Sequence, residues 1–375
     1  MSLEDRVRTE VLGMLRPKHG GDVWGRLEVR DFSSNVNPLG PPERLNDYIQ
    51  EAASDMVNYP DDHCKDLKEA ISQRYALPAA NIVVGAGSAE LIRLFPEVFV
   101  KPGDKVIMPR PTFSEYGFAC QLMGAKFADV PLPEDDGFHP DISGFIDAMV
   151  PGTKAIYVCN PNNPTARMLT RKEVMEVVKE AGRRDIMVFL DETLLELSEK
   201  DSEVTCVGEV AANDNMFIIR SFTKSFAMPG LRVGYGFGSK DVVRYMDAAR
   251  LSWNLGTIEQ RVATKLMTNE QEHVRNAIRL LLDEKQRMRD GISHILKRRI
   301  RMPDSYFFFH PLRPLGITSP KFKEMMLTHN VLVRDCSSFG PPGQSYSRFC
   351  VKTRESDDEF LEALKATVEE LHSGR

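Results

Sequence analysis

Apolar positions along the chain follow two different rhythms. Between about residues 81 and 238, short runs of β-branched and aromatic residues alternate with stretches whose apolar positions recur every three to four residues. Such runs suit strands buried on both faces, and the longer stretches suit amphipathic helices packed over them. IVVG (82–85), DKVIMP (104–109), AIYVC (155–159), MVFLD (187–191), MFIIRSF (216–222) and VGYGFG (233–238) are the strand candidates. The spacing of Val7, Val11, Leu12 and Leu15 predicts an N-terminal helix over 4–16, and Leu67, Ala70, Ile71 and Tyr75 predict the inward face of a second helix. Two long helical patterns follow, 242–267 and 273–300, the latter lined by Ile278, Leu281, Leu282, Met288 and Ile292.

After that the rhythm changes. Strand patterns at 305–312, 331–336 and 347–353 precede a closing helix over 357–371, an α+β composition unlike the alternating middle. At 375 residues the chain exceeds one typical core. The expected organisation is an N-terminal arm and crossing segment (1–42), a large α/β domain with a mostly parallel sheet (43–268) and a smaller α+β domain (269–375).

Candidate chemistry concentrates in SFTKSFAMPGLRVGYG, residues 221–236. A lysine attacks a carbonyl only after losing its proton, and burial beside other cations makes that possible. Lys224 has hydroxyls just before it at Ser221 and Thr223, and Arg232 eight residues after it, a planar fork suited to two phosphate oxygens. The strand, glycine turn and helix of 81–99 aim the backbone N–H groups of Gly87, Ser88 and Ala89 at whatever covers the helix start, a phosphate or simply a turn. Asp191 ends a strand, where open α/β sheets place ligands, and is either a strand-end cap or a carboxylate for a cationic ring. An arginine inside the aromatic strand at Arg348 needs a partner, because a buried unpaired guanidinium is costly.

Composition narrows the classes. Hydrophobic residues at 42% and charged residues at 27% fit a soluble globular enzyme, and a net charge of −5 with interspersed signs offers no face for nucleic acid. Six scattered cysteines without Cys-x-x-Cys argue against a metal ribbon or disulfide framework and for a reducing cytosol. Neither a membrane-spanning apolar run nor a signal peptide is read, so no membrane partner is expected.

Ser-x-x-Lys followed by Gly-x-Arg-x-Gly resembles the pyridoxal-phosphate segment of class I/II aminotransferases, enzymes of fold type I. The resemblance implies pyridoxal 5'-phosphate bound as a Schiff base on Lys224, with its phosphate on Ser221 and Arg232. It further implies Asp191 on the ring nitrogen, Asn163 on the phenolic oxygen, Tyr116 stacked over the ring, and Tyr59 reaching the partner subunit's cofactor phosphate in a homodimer. Read alone, Tyr59 is equally an ordinary half-buried aromatic, and Tyr116 a core one.

His19-Gly20-Gly21 and Asp31-Phe32-Ser33-x-Asn35-x-Asn37-Pro38-Leu39-Gly40 resemble the opening of threonine-phosphate decarboxylases, relatives of histidinol-phosphate aminotransferase. This implies a small amino acid phosphate as substrate, within corrinoid (cobalamin) biosynthesis, with His19 and Asn35 on the substrate side, each otherwise part of a purely structural turn, and Arg348 on its α-carboxylate. Arg167, where relatives have a glycine nearby, is expected to bring a cation toward the substrate phosphate, and Arg354 to lie on the surface. Leu194 departs from the aminotransferases, which carry a tyrosine there, and so favours decarboxylation over transamination. Histidinol-phosphate aminotransferase is the alternative enzyme reading, and a cofactor-binding regulatory module the non-enzyme one, although no basic helix-turn-helix extension accompanies it.

Overall fold

A computed structural model describes residues 2–374 apart from Trp24 and Leu27, so the tryptophan of the KHGGDVWG segment lies outside the described residues. β1 (Arg30–Asp31) is a two-residue piece of the crossing segment. The central sheet comprises β2 (Ile82–Gly85), β3 (Lys105–Arg110), β4 (Lys126–Pro131), β5 (Thr153–Cys159), β6 (Met187–Asp191), β7 (Met216–Ser221) and β8 (Gly234–Gly238). Their order is β2-β8-β7-β6-β5-β3-β4. All neighbours run parallel except β8, which is antiparallel to β7 and β2.

Period-two alternation divides the strand residues between two cores. Val83, Val106, Tyr157, Phe189 and Phe217 point into one, and Ile82, Ile107, Ile156, Val188 and Ile218 into the other. Both faces are therefore dry, as the near-continuous apolar runs require.

The smaller sheet contains β9 (Phe307–Pro311), β11 (Arg334–Asp335) and β12 (Tyr346–Cys350), with β12 in the middle and antiparallel to both neighbours. β10 (Val331–Leu332) pairs in parallel with β1 instead. The strand pattern at 331–336 is thus split between two sheets, which ties the crossing segment to the C-terminal region.

Two helix expectations are corrected. Over 4–16 only Glu4–Arg6 forms a helical turn, and Val11, Leu12 and Leu15 remain exposed. A stripe with nothing to pack against leaves so short a helix marginal. The pattern over 242–267 is two helices, Lys240–Ala249 and Thr257–Asn269. Arg250 ends the first by bonding Asp247 (2.7 Å) and Asp62 (3.1 Å), and Trp253 turns the chain at φ +52°. Helices Gln271–Ile295 and Arg354–Ser373 cover the smaller sheet region, with Arg354 exposed at the start of the latter.

Candidate active site

The carboxyl ends of β5, β6 and β7 open into a cavity of about 640 Å³, closed from the other side by the N-terminal arm and the smaller sheet. Lys224 reaches it from the four-residue helix Phe222–Ser225, which Ser221 caps by accepting the Thr223 N–H at 3.2 Å. Burial, then the positive charge of Arg348, lowers the Lys224 ammonium to a pKa of about 8. It makes no ion pair among the described residues.

One end of the cavity is a backbone cradle. Ser88 and Ala89 begin the helix Ser88–Phe99, whose first N–H groups have no partners within the helix. Gly87, at φ +75°, lies against the Arg232 guanidinium so closely that a Cβ there would overlap it, and a Cβ on Gly234 would overlap the Ser88 nitrogen. The two glycines explain how loop, strand and arginine share one small space. Arg232 is itself held at φ +55°, donating to Pro229 O at 3.0 Å. Ser221, Thr223 and Arg232 all line the cavity here. Free N–H groups, two hydroxyls and a guanidinium are the donor set a phosphate ester takes.

At the cavity's floor Asp191 accepts from Tyr116 OH (2.5 Å) and Thr193 N (2.8 Å). Burial pushes its carboxyl above the usual range, against those hydrogen bonds and the charge of Lys224. A cationic ring nitrogen would restore its ionised form. The Tyr116 ring, expected over a cofactor, is buried and stacked on Tyr157 at 5.5 Å. Tyr116 still lines the cavity, together with Phe113, one turn earlier, and Phe118, both half-buried.

The opposite wall is cationic. Arg348 donates to Asn163 Oδ1 and to Ser33 O (2.5 Å), and burial lowers its pKa. Arg334 is its cross-strand partner in the β11–β12 register and donates to Lys18 O (2.5 Å) and Ser338 Oγ (2.7 Å). Burial and the charge of Arg348 bring Arg334 down to about 10. Arg16 and His19 complete this wall, His19 pairing with Glu115 at 2.8 Å. Asn35 lines it too, its buried Oδ1 without a partner among the described residues.

One residue expected here lies elsewhere, and Tyr59, expected at a partner subunit's cofactor, stands outside this cavity. Arg167 does not line the cavity: its guanidinium is buried against Asp304 at 3.1 Å, so its charge is already neutralised. Tyr59 is 81% exposed and stacked on Trp253 at 4.7 Å, outside this cavity. Arg334 went unread although it sits in an apolar strand, the signal that singled out Arg348. Arg16 and Glu115 carry no such signal, being charged residues whose neighbours only folding supplies. No cluster of metal-ligating side chains occurs among the described residues.

Comparison with known proteins agrees with this geometry. The family model "Aminotransferase class I and II" matches residues 28–364. A protein of Caldanaerobacter subterraneus named "Putative threonine-phosphate decarboxylase" is 32% identical, covering 94% of each chain. Histidinol-phosphate aminotransferase of Symbiobacterium thermophilum is 30% identical over 93% of this chain and 94% of its own. Among solved structures, histidinol-phosphate aminotransferase from Clostridium acetobutylicum superposes with TM-score 0.83 at 27% identity, covering 90% of this chain and 99% of that one. The Sinorhizobium meliloti enzyme in complex with pyridoxal-5'-phosphate shares the fold, with TM-score 0.86 at 18% identity and 98% of each chain covered. With its parallel sheet, its lysine at the carboxyl ends and its match across 28–364, the chain belongs to the class I and II aminotransferases, pyridoxal-phosphate-dependent enzymes of fold type I.

Proposed function

We propose that the chain decarboxylates a small phosphorylated amino acid, L-threonine O-3-phosphate, to aminopropanol phosphate for corrinoid synthesis. The observation that carries this reading is the Arg334–Arg348 cross-strand pair. Like charges directly opposite destabilise a sheet, and neither guanidinium is bonded to a carboxylate among the described residues. A ligand with two neighbouring anionic groups resolves the conflict. Threonine phosphate has them, a carboxylate on Cα and a phosphate on the adjacent carbon's oxygen, whereas histidinol phosphate has no carboxylate. Leu194 on the cavity wall and the name borne by the 32% identical relative support the same choice.

Bound pyridoxal phosphate supplies an aldehyde for an amine and a ring that takes up the electron pair of the bond broken at Cα. In this reading Ser88, Ala89, Ser221, Thr223 and Arg232 would hold its phosphate, Phe113 would pack against its ring and Asp191 would accept from the protonated ring nitrogen. Asn163 Oδ1 is taken by Arg348, which leaves the amide nitrogen to donate to the phenolic oxygen. Arg348 orients the substrate carboxylate, while Arg334, Arg16 and His19 take the substrate phosphate. The C–C bond to the carboxylate breaks, carbon dioxide leaves, and Lys224 returns a proton to Cα. We place Tyr59 in the site of a second subunit, which its exposure allows.

Purified protein supplied with cofactor and threonine phosphate should release carbon dioxide with no 2-oxo acid present. Glutamate-dependent turnover of histidinol phosphate, the activity named for several relatives, would replace this reading. Arg334→Met should cost ~1.5–3 kcal/mol in kcat/KM, the range for hydrogen bonds to charged groups.

A further inference from the structure

The helix that presents Lys224, Phe222–Ser225, is a single turn and too short to set its own direction. Phe222 N–H on Val233 O (3.2 Å) anchors its start, and contacts from two further sides aim it. From the crossing segment, Asn37 N–H donates to Lys224 O (2.9 Å) and Asn37 Nδ2 to Ser225 O (2.8 Å). From the opposite side, Ser225 Oγ has Glu196 Oε2 at 3.1 Å and Ser221 O at 3.2 Å, and its one proton goes to the carboxylate, the stronger acceptor. The other oxygen of Glu196 accepts from Tyr75 OH (2.8 Å) and Tyr235 OH (2.9 Å).

This cluster lies on the face of the sheet away from the cavity. Alternation along β7 turns Ser221 toward the cavity and Arg220 away from it. Arg220 is fully buried, pairs with Glu192 and Asp201 at 2.7 Å each, and stands 3.9 Å from Glu196. Glu192 follows Asp191 directly, so the same ion pair joins the ends of β6 and β7.

We propose that Glu196 is a positioning residue for Lys224: through Ser225 Oγ it fixes the short helix and so the direction in which Nζ enters the cavity. A carboxylate suits the task because all three partners are hydroxyls donating to it, and an ionised carboxylate only accepts. Glutamine has the same shape but turns one acceptor into a donor. The proposal rests on Lys224 being the amine that takes the cofactor.

The test compares Glu196→Gln, Ser225→Ala, the double variant and Lys224→Ala with the parent. Readouts are the rate at which cofactor-free protein captures pyridoxal phosphate, kcat and KM separately, and the thermal midpoint. Glu196→Gln and Ser225→Ala should each slow capture and kcat roughly ten- to hundredfold with KM little changed, the cost of a slightly misplaced reacting group. The double variant should be no slower than Ser225→Ala, because the two act along one path. Parent-like rates in both single variants, additive losses, or losses that follow the thermal midpoint would each overturn the positioning role. Lys224→Ala separates the two ideas, since covalent capture surviving that change would overturn the lysine assignment itself.

Discussion

At Lys224 the cost of burying an ammonium becomes useful, because its pKa falls from 10.5 to about 8 and the neutral amine is accessible near neutrality. Between those two values the unfolded chain keeps a proton that the folded protein has shed. Stability therefore rises with pH from about 8 to 10.5, and the full penalty remains below 8. After burial, Arg348 is the largest cause of the shift. Arg348→Met should move the midpoint of aldehyde capture by the cofactor-free protein upward from about 8 toward 10.5, and a midpoint that stays put or falls would contradict the pairing. Gly234 makes a steric prediction. A methyl group there meets the Ser88 nitrogen, so Gly234→Ala should strain the cradle by about 1–3 kcal/mol and weaken cofactor retention. Dialysis followed by absorbance would show that loss, with the far-ultraviolet circular dichroism unchanged.

Among the elements, the helix Arg354–Ser373 carries its own pH dependence. Asp357 in its first turns is fully buried; one carboxylate oxygen accepts the Lys352 N–H at 2.9 Å, and the other has no partner among the described residues. Burial raises its pKa from 3.8 to about 8. For an acid raised in this way, stability is highest at low pH and falls as pH climbs from about 3.8 to 8. Asp357→Asn keeps an acceptor for Lys352 without the charge. Its thermal midpoint should exceed the parent's at pH values above about 8 and lose that advantage near 3.8, an outcome scanning calorimetry reads directly. The element scale also shows why periodicity misled over 242–267. Apolar spacing continues across the break, but Arg250 is drawn to Asp62, a residue of a distant loop, and the helix ends there.

On the scale of the whole molecule, several exposed apolar residues gather around one aromatic stack. Val57 (86% exposed), Tyr59 and Leu251 (75%) stand out from the loops joined by the Tyr59–Trp253 stack, with Met56 beside them. Surfaces of this kind serve association. We propose that a second copy covers them, since Tyr59 then has a site to enter. Sedimentation should show a dimer, and Val57→Asp with Leu251→Asp should yield monomers that hold the cofactor less tightly; a monomeric parent would refute the arrangement. No helix among the described residues is long and apolar enough to cross a membrane. What the amino-acid order determined by itself was local: the alternating strands and helices, and the grouping of Lys224, Ser221, Arg232 and Asp191, because Asp191 and Ser221 end parallel strands, Lys224 follows one closely and Arg232 just precedes the antiparallel β8, so the sheet delivers all four to one edge. Folding decided the partners within the cationic wall. Arg334 and Arg348 meet through β-sheet register, His19 through Glu115, and Arg167 is diverted to Asp304. Long charged side chains take whichever partner the packed elements bring within reach, and that choice depends on contacts between segments far apart in the chain, which no local pattern encodes.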